Sequence, residues 1–482
     1  MNIVVVVIDA LRASDVGCLG RDAETTPHID SLADNSMVFE RAFSVSNYTD
    51  VCMSTILSGK PPREHGVTHH GTAHTEENLA RIEQRAPQFL PEILHDHGYN
   101  TIGVDWMGRW HEWGYDNYGV DGGGQDADSG TDSISEAIFD RITDTVVDLP
   151  EPLLFPIMKQ YYRRVGYNDF RVNCEELTDI AIDRIDDSDS PTFTLLHYWD
   201  VHPPYLPPEK YESQFTGEDR PDESLEKYFG TEAKGPMSAA YQTYATGKHT
   251  TMSESKAAYD GAIKWVDEQF GRLVTYLRET NKLDETMIVV TADHGHNFGE
   301  HGIFSDNTGL YDTSVHVPLI IHDPRRDHRR VDGLVQHTDI VPTILDFAGI
   351  EAPTDLRGNV LPDTREFAFA EAIEHRMQMV RTDDWKLIIP RDLDYLRHQY
   401  WYDGDGETEL YDLTEDPDET KNIANEHPDV ISRLTNMLEA ELETQERIVE
   451  EATDRSAAIN DNDMDEIKSR LNALGYADDD NV

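Results

Sequence analysis

The sequence predicts an α/β fold, a mainly parallel sheet flanked by helices on both faces, with a small C-terminal α+β subdomain. Three observations carry this reading. Apolar runs without polar alternation recur as far as Ile321, as strands covered on both faces require. Amphipathic segments of helix length lie between them. Beyond about residue 360 the texture changes to short, closely spaced strand-like segments and a closing helix.

The elements follow in order. Ile3–Ile8 is the first strand and runs straight into Asp9. Thr101–Val104, Thr192–Tyr198, Met287–Thr291 and Pro318–Ile321 repeat its pattern. Gln88–His97 reads as a helix closed by Gly98, and Ala257–Leu277 as a longer one with Ile263, Val266, Phe270, Leu273 and Leu277 on one face. Residues 105–175 and 207–255 break the rhythm; they are polar, rich in Gly, Tyr and acids, and read as insertions over a site. Phe367–Ala370, Met377–Arg381 and Trp385–Ile389 form a meander-like stretch, joined by Glu409–Leu413 and a helix near Pro428–Glu443. The expected division is therefore an α/β catalytic domain over 1–360 and a subdomain over 361–482 that ends in an acidic, helix-prone tail.

Composition narrows the function. Ninety-four acidic against 41 basic side chains leave a formal charge of −53 over 482 residues. Such a surface repels a phosphate backbone and an anionic membrane, so nucleic acid and membrane are not expected partners. With 38% apolar residues the chain is not a disordered polyanion. Its basic residues are 12 Lys and 29 Arg, and scarce Lys among abundant carboxylates suits a protein from a very salty cytoplasm. Cys18, Cys52 and Cys174 are too few for a disulfide framework. The short apolar start lacks a basic flank and is not a signal peptide, and no stretch reaches the roughly 20 apolar residues of a membrane span. A cytoplasmic location is the expectation.

Ligands of open α/β sheets gather at the carboxyl ends of strands. Three such ends carry chemistry. Asp9 follows the first strand, Asp293 and His294 follow Met287–Thr291, and Asp200 and His202 follow Thr192–Tyr198. Carboxylates and imidazoles converging from several strand ends point to a metal site.

Further segments resemble one family. Asp9-Ala10-Leu11-Arg12 with Gly17-Cys18-Leu19-Gly20, then Thr26-Pro27-His28, are similar to the opening of the sulfatase branch of the alkaline phosphatase superfamily. Ser58-Gly59-Lys60-Pro61, Ala292-Asp293-His294-Gly295, Gly299-Glu300-His301-Gly302, Val317-Pro318-Leu319-Ile320 and Glu409-Leu410-Tyr411-Asp412-Leu413 continue the likeness in the family's order to about residue 440. The resemblance implies a metal-dependent ester hydrolase, acting on a small anionic ester.

The nucleophile departs from the sulfatase pattern. Family members carry Cys-x-(Pro/Ala)-x-Arg, whose Cys becomes formylglycine, ten residues before the Gly of Thr-Gly-(Arg/Lys). Ten residues before Gly59 stands Thr49. Cys52 comes three residues later and is followed by Ser54 and Ile56 where Pro or Ala and Arg are required. Thr49 resembles instead the threonine nucleophile of the superfamily's phosphatase and phosphodiesterase members. By resemblance, Asp9, Thr49, Asp293 and His294 surround one divalent cation (Ca, Mg, Mn or Zn), which lets a hydroxyl act as a nucleophile near neutral pH.

The spacing Asp200-x-His202 does not match the second cluster of two-metal relatives. His202 resembles the His of the one-metal members' His-x-Pro segment, an acid or oxyanion contact. Asn307 stands where members usually have Lys or His, and Met53 where a basic residue usually follows the nucleophile. Lys60, at the end of the nucleophile segment, is a further candidate substrate contact; a helix-end Lys that complements the dipole is its plain alternative. His65 reads as structural, His296 and His301 as possible partners of the metal ligands, and Arg325–Arg330 as a solvated loop. A single metal suits a less charged diester, a phosphonate monoester or a sulfate ester, and Thr49, which lacks the route by which a formylglycine hydrate expels sulfate, favours a phosphodiester or phosphonate-type monoanion. Sulfate ester hydrolysis and non-catalytic ester binding remain as alternatives.

Overall fold

The computed structural model describes residues 1–69, 81–82, 85, 87–105, 107–120, 172–188, 191–217, 223–225, 247–372, 375–392 and 408–457. Most of the two expected insertions, His70 and the end of the acidic tail fall outside these residues. Among the described residues no helix is long and apolar enough to cross a membrane.

Among the described residues ten strands precede residue 340: β1 (Asn2–Ile8), β2 (Met37–Phe43), β3 (Asn100–Val104), β4 (Asn117–Tyr118), β5 (Thr192–Tyr198), β6 (Thr286–Thr291), β7 (Asn297–Phe298), β8 (Phe304–Asp306), β9 (His316–His322) and β10 (Arg329–Gln336). Eight of them form one sheet in the order β10-β2-β9-β6-β1-β5-β3-β4, while β7 and β8 make a small ribbon. β1 lies at the middle, parallel to β5 and β6. Its residues Ile3 to Ile8 are all 0–1% exposed. Successive strand side chains point to opposite faces, so both faces of the sheet are covered. The cover comes from helices Thr49–Ser58, Cys174–Asp186, Met252–Glu279 and Ile340–Ala348, whose apolar residues join the same core.

One strand breaks the parallel pattern. β9 runs antiparallel to both β2 and β6. Its apolar run His316–His322 has the same texture as the parallel strands, because burial on two faces sets composition and strand direction does not.

A second sheet has four antiparallel strands in sequence order, β11 (Ala368–Glu371), β12 (Met377–Arg381), β13 (Trp385–Pro390) and β14 (Glu409–Asp412). The helix Pro428–Ala457 packs on one face through Leu434 and Leu438. The other face meets Phe43, Ile303, Leu310, Tyr311 and Val315 in a shared buried cluster. The C-terminal sheet thus braces the 303–315 segment, which leads to the site described next.

Candidate active site

The carboxyl ends of β1 and β6 lie side by side, and the residues just beyond them converge. Asp9 donates its backbone N–H to Tyr198 O at 2.9 Å, which extends the β1–β5 ladder by one bond. The chain then turns sharply at Ala10, a non-glycine residue with φ +58°. This costly conformation is over-determined: Ala10 N donates to Asp293 Oδ1 at 3.1 Å, and Ala10 O accepts the Tyr259 hydroxyl at 2.9 Å. Beyond β6, His294 N donates to the same Asp293 Oδ1 at 2.8 Å. Two amides therefore fix one oxygen of Asp293 and aim the other toward His294, whose Nε2 is 3.3 Å from Asp293 Oδ2 and 3.9 Å from Asp9 Oδ1.

Asp9, Asp293 and His294 are each no more than 1% exposed, and one ligand atom from each lies within 4.8 Å of the others. His294 donates from Nδ1 to Gly295 O at 2.8 Å, which places the lone pair of the neutral imidazole on Nε2. A buried lone pair facing two carboxylates is repulsive by itself and suits a divalent cation. The donor set fits a metal.

Thr49 completes this cluster. It opens the fully buried helix Thr49–Ser58, after Tyr48 in extended conformation, and its Oγ1 is 3.2 Å from His294 Nε2. The helix N-terminus adds partial positive charge where the hydroxyl stands. Cys52 is also buried, but its thiol donates to Ser46 O at 3.1 Å. Burial, and then the Asp293 carboxylate, push that thiol far above the ordinary range.

Asn307 arrives from the braced segment. Asn47 Nδ2 donates to its carbonyl at 2.9 Å, and its own Nδ2 lies 3.2 Å from His294 Nε2. His202 follows β5, half-buried, with Nδ1 donating to Pro203 O at 2.7 Å and its ring edge-on to Trp199. Burial, and then the Arg12 guanidinium, hold the nearby His296 imidazole far below its ordinary range.

Other candidates go elsewhere. Lys60 pairs with Asp355 at the C-terminal end of the nucleophile helix. Ten residues at 1.5 Å each separate that end from Thr49 by about 15 Å, so the structure does not bring Lys60 to the cluster. Asp200 lies near the buried Cys174 thiol, which burial and then the Asp200 charge push far above its ordinary range. His65 accepts from Val67 N at 3.0 Å and lies 3.1 Å from Thr55 Oγ1, a structural role. His296 bonds the Tyr205 hydroxyl at 2.6 Å, and His301 stacks on Tyr311 at 3.6 Å.

Several nearby polar residues escaped the sequence reading. Arg12 is clamped by Glu300, with Nη1–Oε1 at 2.8 Å. His337 Nε2 lies 3.0 Å from Ala292 O, just before Asp293 and His294. Asp105 and His197 form a buried pair at 3.2 Å. Asp105 ends a strand as Asp9 does, so the strand-end rule could have found it.

The fold agrees with that of known proteins. The Sulfatase family model matches residues 1–350, and a model of the N-sulphoglucosamine sulphohydrolase C-terminal region matches residues 299–447. An arylsulfatase of Clostridium perfringens (strain 13 / Type A) is 25% identical over 478 residues, covering 92% of this chain and 95% of that protein. A multifunctional alkaline phosphatase superfamily protein of Trinickia caryophylli is 28% identical over 271 residues, 49% of this chain and 52% of its own length. Among solved structures, a phosphonate monoester hydrolase of Agrobacterium radiobacter shares the fold with a TM-score of 0.65 at 20% identity, over 93% of this chain and 96% of that one. A protein solved with its substrate D-glucosamine-2-N,6-O-disulfate has a TM-score of 0.66 at 21% identity, over 92% and 98% of the two chains. With this fold and a family model spanning most of its length, the chain belongs to the sulfatase family, hydrolases of the alkaline phosphatase superfamily.

Proposed function

We propose that this hydrolase cleaves a phosphoester, a diester or phosphonate-type monoanion, with Thr49 as nucleophile and one divalent cation held by Asp9, Thr49, Asp293 and His294. The observation that carries the reading is the Thr49 hydroxyl 3.2 Å from His294 Nε2, with Cys52 turned onto Ser46. Bound there, the cation would supply the positive charge that lets a hydroxyl ionise near neutral pH. Thr49 Oγ1 attacks phosphorus, the bond to the leaving oxygen breaks, and a phosphothreonine results. His202, which follows β5 and donates from Nδ1 to Pro203 O, is assigned as the acid that protonates the leaving oxygen. Water then cleaves the phosphothreonine. A threonine ester has no counterpart to the collapse of a formylglycine hydrate that expels sulfate, which favours phosphorus over sulfur.

The neutral Asn307 amide can hydrogen-bond a non-bridging oxygen without adding charge, which suits a monoanion better than a dianion. Sulfate ester hydrolysis is the second reading, favoured by the arylsulfatase that aligns along nearly the whole chain. Parallel assays of bis-aryl phosphate, aryl phosphonate, aryl phosphate and aryl sulfate with added metal separate the two. Phosphodiester or phosphonate turnover is expected, with a phosphorylated Thr49 trapped and located by mass spectrometry. Efficient sulfate release with phosphorus esters untouched would overturn the assignment.

A further inference from the structure

The chain leaves β1 through a turn that is held by a residue the reaction above does not use. Ala10 stands at φ +58°. Glycine takes that conformation freely, whereas alanine keeps it only where its surroundings outweigh the cost. Ala10 is also the residue on which both carboxylates of the cluster depend. It follows Asp9 in the chain, and its N–H donates to Asp293 Oδ1 at 3.1 Å. The chain is pinned on either side. Before the turn, Asp9 N donates to Tyr198 O at 2.9 Å. Beyond it, the Arg12 guanidinium is clamped by Glu300 at 2.8 Å, and Asp15 by Lys256 at 2.9 Å. Relaxing the Ala10 φ would therefore turn the Asp9–Ala10 peptide, which shifts Asp9 and withdraws the donor from Asp293.

The bond from Ala10 N engages a proposed cation ligand; the bond to Ala10 O comes from elsewhere. Tyr259 lies on the helix Met252–Glu279 and is fully buried. Its hydroxyl donates to Ala10 O at 2.9 Å and accepts the Arg12 N–H at 3.3 Å. One oxygen thus bridges the backbone on both sides of Leu11, as donor and as acceptor. The ring itself is held on several sides. Phe298 and Tyr205 pack edge-on to it with centroids 4.7 and 5.4 Å away, His296 stacks at 6.2 Å, and Lys256 Nζ lies 4.6 Å from its centroid. A phenylalanine would fill the same space, so packing alone does not account for a hydroxyl here. What the hydroxyl adds is its hold on the turn.

We propose that Tyr259 is a positioning residue for the cation site: its hydroxyl staples the strained turn at Ala10 and so keeps the Asp9 and Asp293 carboxylates at the spacing a divalent cation needs. The proposal rests on the metal-centred reading above. Removing groups that orient metal ligands commonly changes affinity roughly ten- to a hundred-fold.

The test is calorimetric titration of the full-length protein with Mn²⁺ alone. Y259F removes the hydroxyl and keeps the ring. Y198F is its control: Tyr198 is equally buried, and its hydroxyl bonds Thr178 Oγ1 at 2.6 Å. Tyr198 pairs with Ile8, so its side chain projects from the face of the sheet opposite to Asp9. Both variants lose a buried hydrogen bond and should melt earlier. Y259F is expected to weaken Mn²⁺ binding about tenfold, and Y198F to leave it unchanged. Wild-type affinity in a folded Y259F overturns the inference, and so does an equal loss in the two variants. If Y259F does not fold, A10G supplies the background. Glycine removes the strain but samples both signs of φ, so the hydroxyl still decides the turn. Weaker Mn²⁺ binding by Y259F/A10G than by A10G then supports the proposal, and equal binding overturns it. Failure of the wild-type protein to bind Mn²⁺ would instead overturn the metal-centred reading, and this proposal with it.

Discussion

Thr49 and Cys52 stand three residues apart on one helix, and their surroundings give them opposite chemistry. The threonine hydroxyl faces His294, while the cysteine is buried among neighbours that keep it protonated. A thiol in that condition is neither a nucleophile nor readily alkylated. C52A should therefore retain ester turnover close to wild type, and iodoacetamide at neutral pH should leave Cys52 unmodified in the folded protein, as read by peptide mass. T49A should reduce turnover to background while the protein stays folded by circular dichroism. Asn307 tests the charge argument. N307K adds a cation beside His294, and the ratio of kcat/KM for a phosphate monoester to that for a diester should rise about tenfold. An unchanged ratio would remove Asn307 from substrate discrimination.

At the scale of elements, one buried ion pair ties the short helix Pro62–His65 to the C-terminal sheet. Arg63 clamps Glu371 of β11 in a bidentate pair, with Nη2–Oε1 at 2.8 Å, and His375 Nδ1 reaches the same carboxylate at 3.0 Å. Burial opposes ionisation of Glu371, but His375 and Arg63 bring its carboxyl down to about 2. A depressed folded-state value means that the stabilisation is complete above the unfolded value near 4.5 and fades as pH falls toward 2. E371Q should thus cost about 3 kcal/mol at pH 7, and the gap to wild type in urea unfolding should close progressively below pH 4.5. A constant gap down to pH 2.5 would contradict the assignment. Lys386, fully buried, plays a similar part between Asp312 at 2.8 Å and Glu419 at 2.7 Å. The strands and the polar cluster at their ends were legible because burial on both faces and a polar residue straight after it leave local marks. Asp9, Asp293 and His294, which the structure brings together, were picked out that way. The direction of β9 left no such mark, since its composition answers to burial alone. His197 was hidden inside a run counted as apolar, and Asp105 was assigned to the insertion that follows its strand. The separate location of Lys60 depends on the length and burial of a helix that the sequence does not delimit by any cap other than Gly59.

For the whole molecule the dominant quantity is the formal charge of −53, which a substrate anion must approach. Two salt effects compete. Screening weakens the local attraction between substrate and a bound cation, and it also weakens the repulsion from the rest of the surface. The Asp9 and Asp293 carboxylates are buried, at no more than 1% exposure, so a substrate at the cation proposed there would sit within a few ångströms of it and exclude most counter-ions. The surface charge acts over longer distances, where the Debye length falls from about 10 Å at 0.1 M to about 3 Å at 1 M salt. Screening therefore removes more repulsion than attraction, and it also relieves the self-repulsion that loosens the fold. We expect kcat/KM and Tm both to rise with KCl toward molar concentration, with metal held saturating. A neutral aryl ester of comparable size separates the two effects: its kcat/KM should follow only the gain in stability, whereas that of the anionic ester should climb further. Maximal turnover of the anion in dilute buffer would mean that the cation's local field, rather than the −53 surface, governs access to the site.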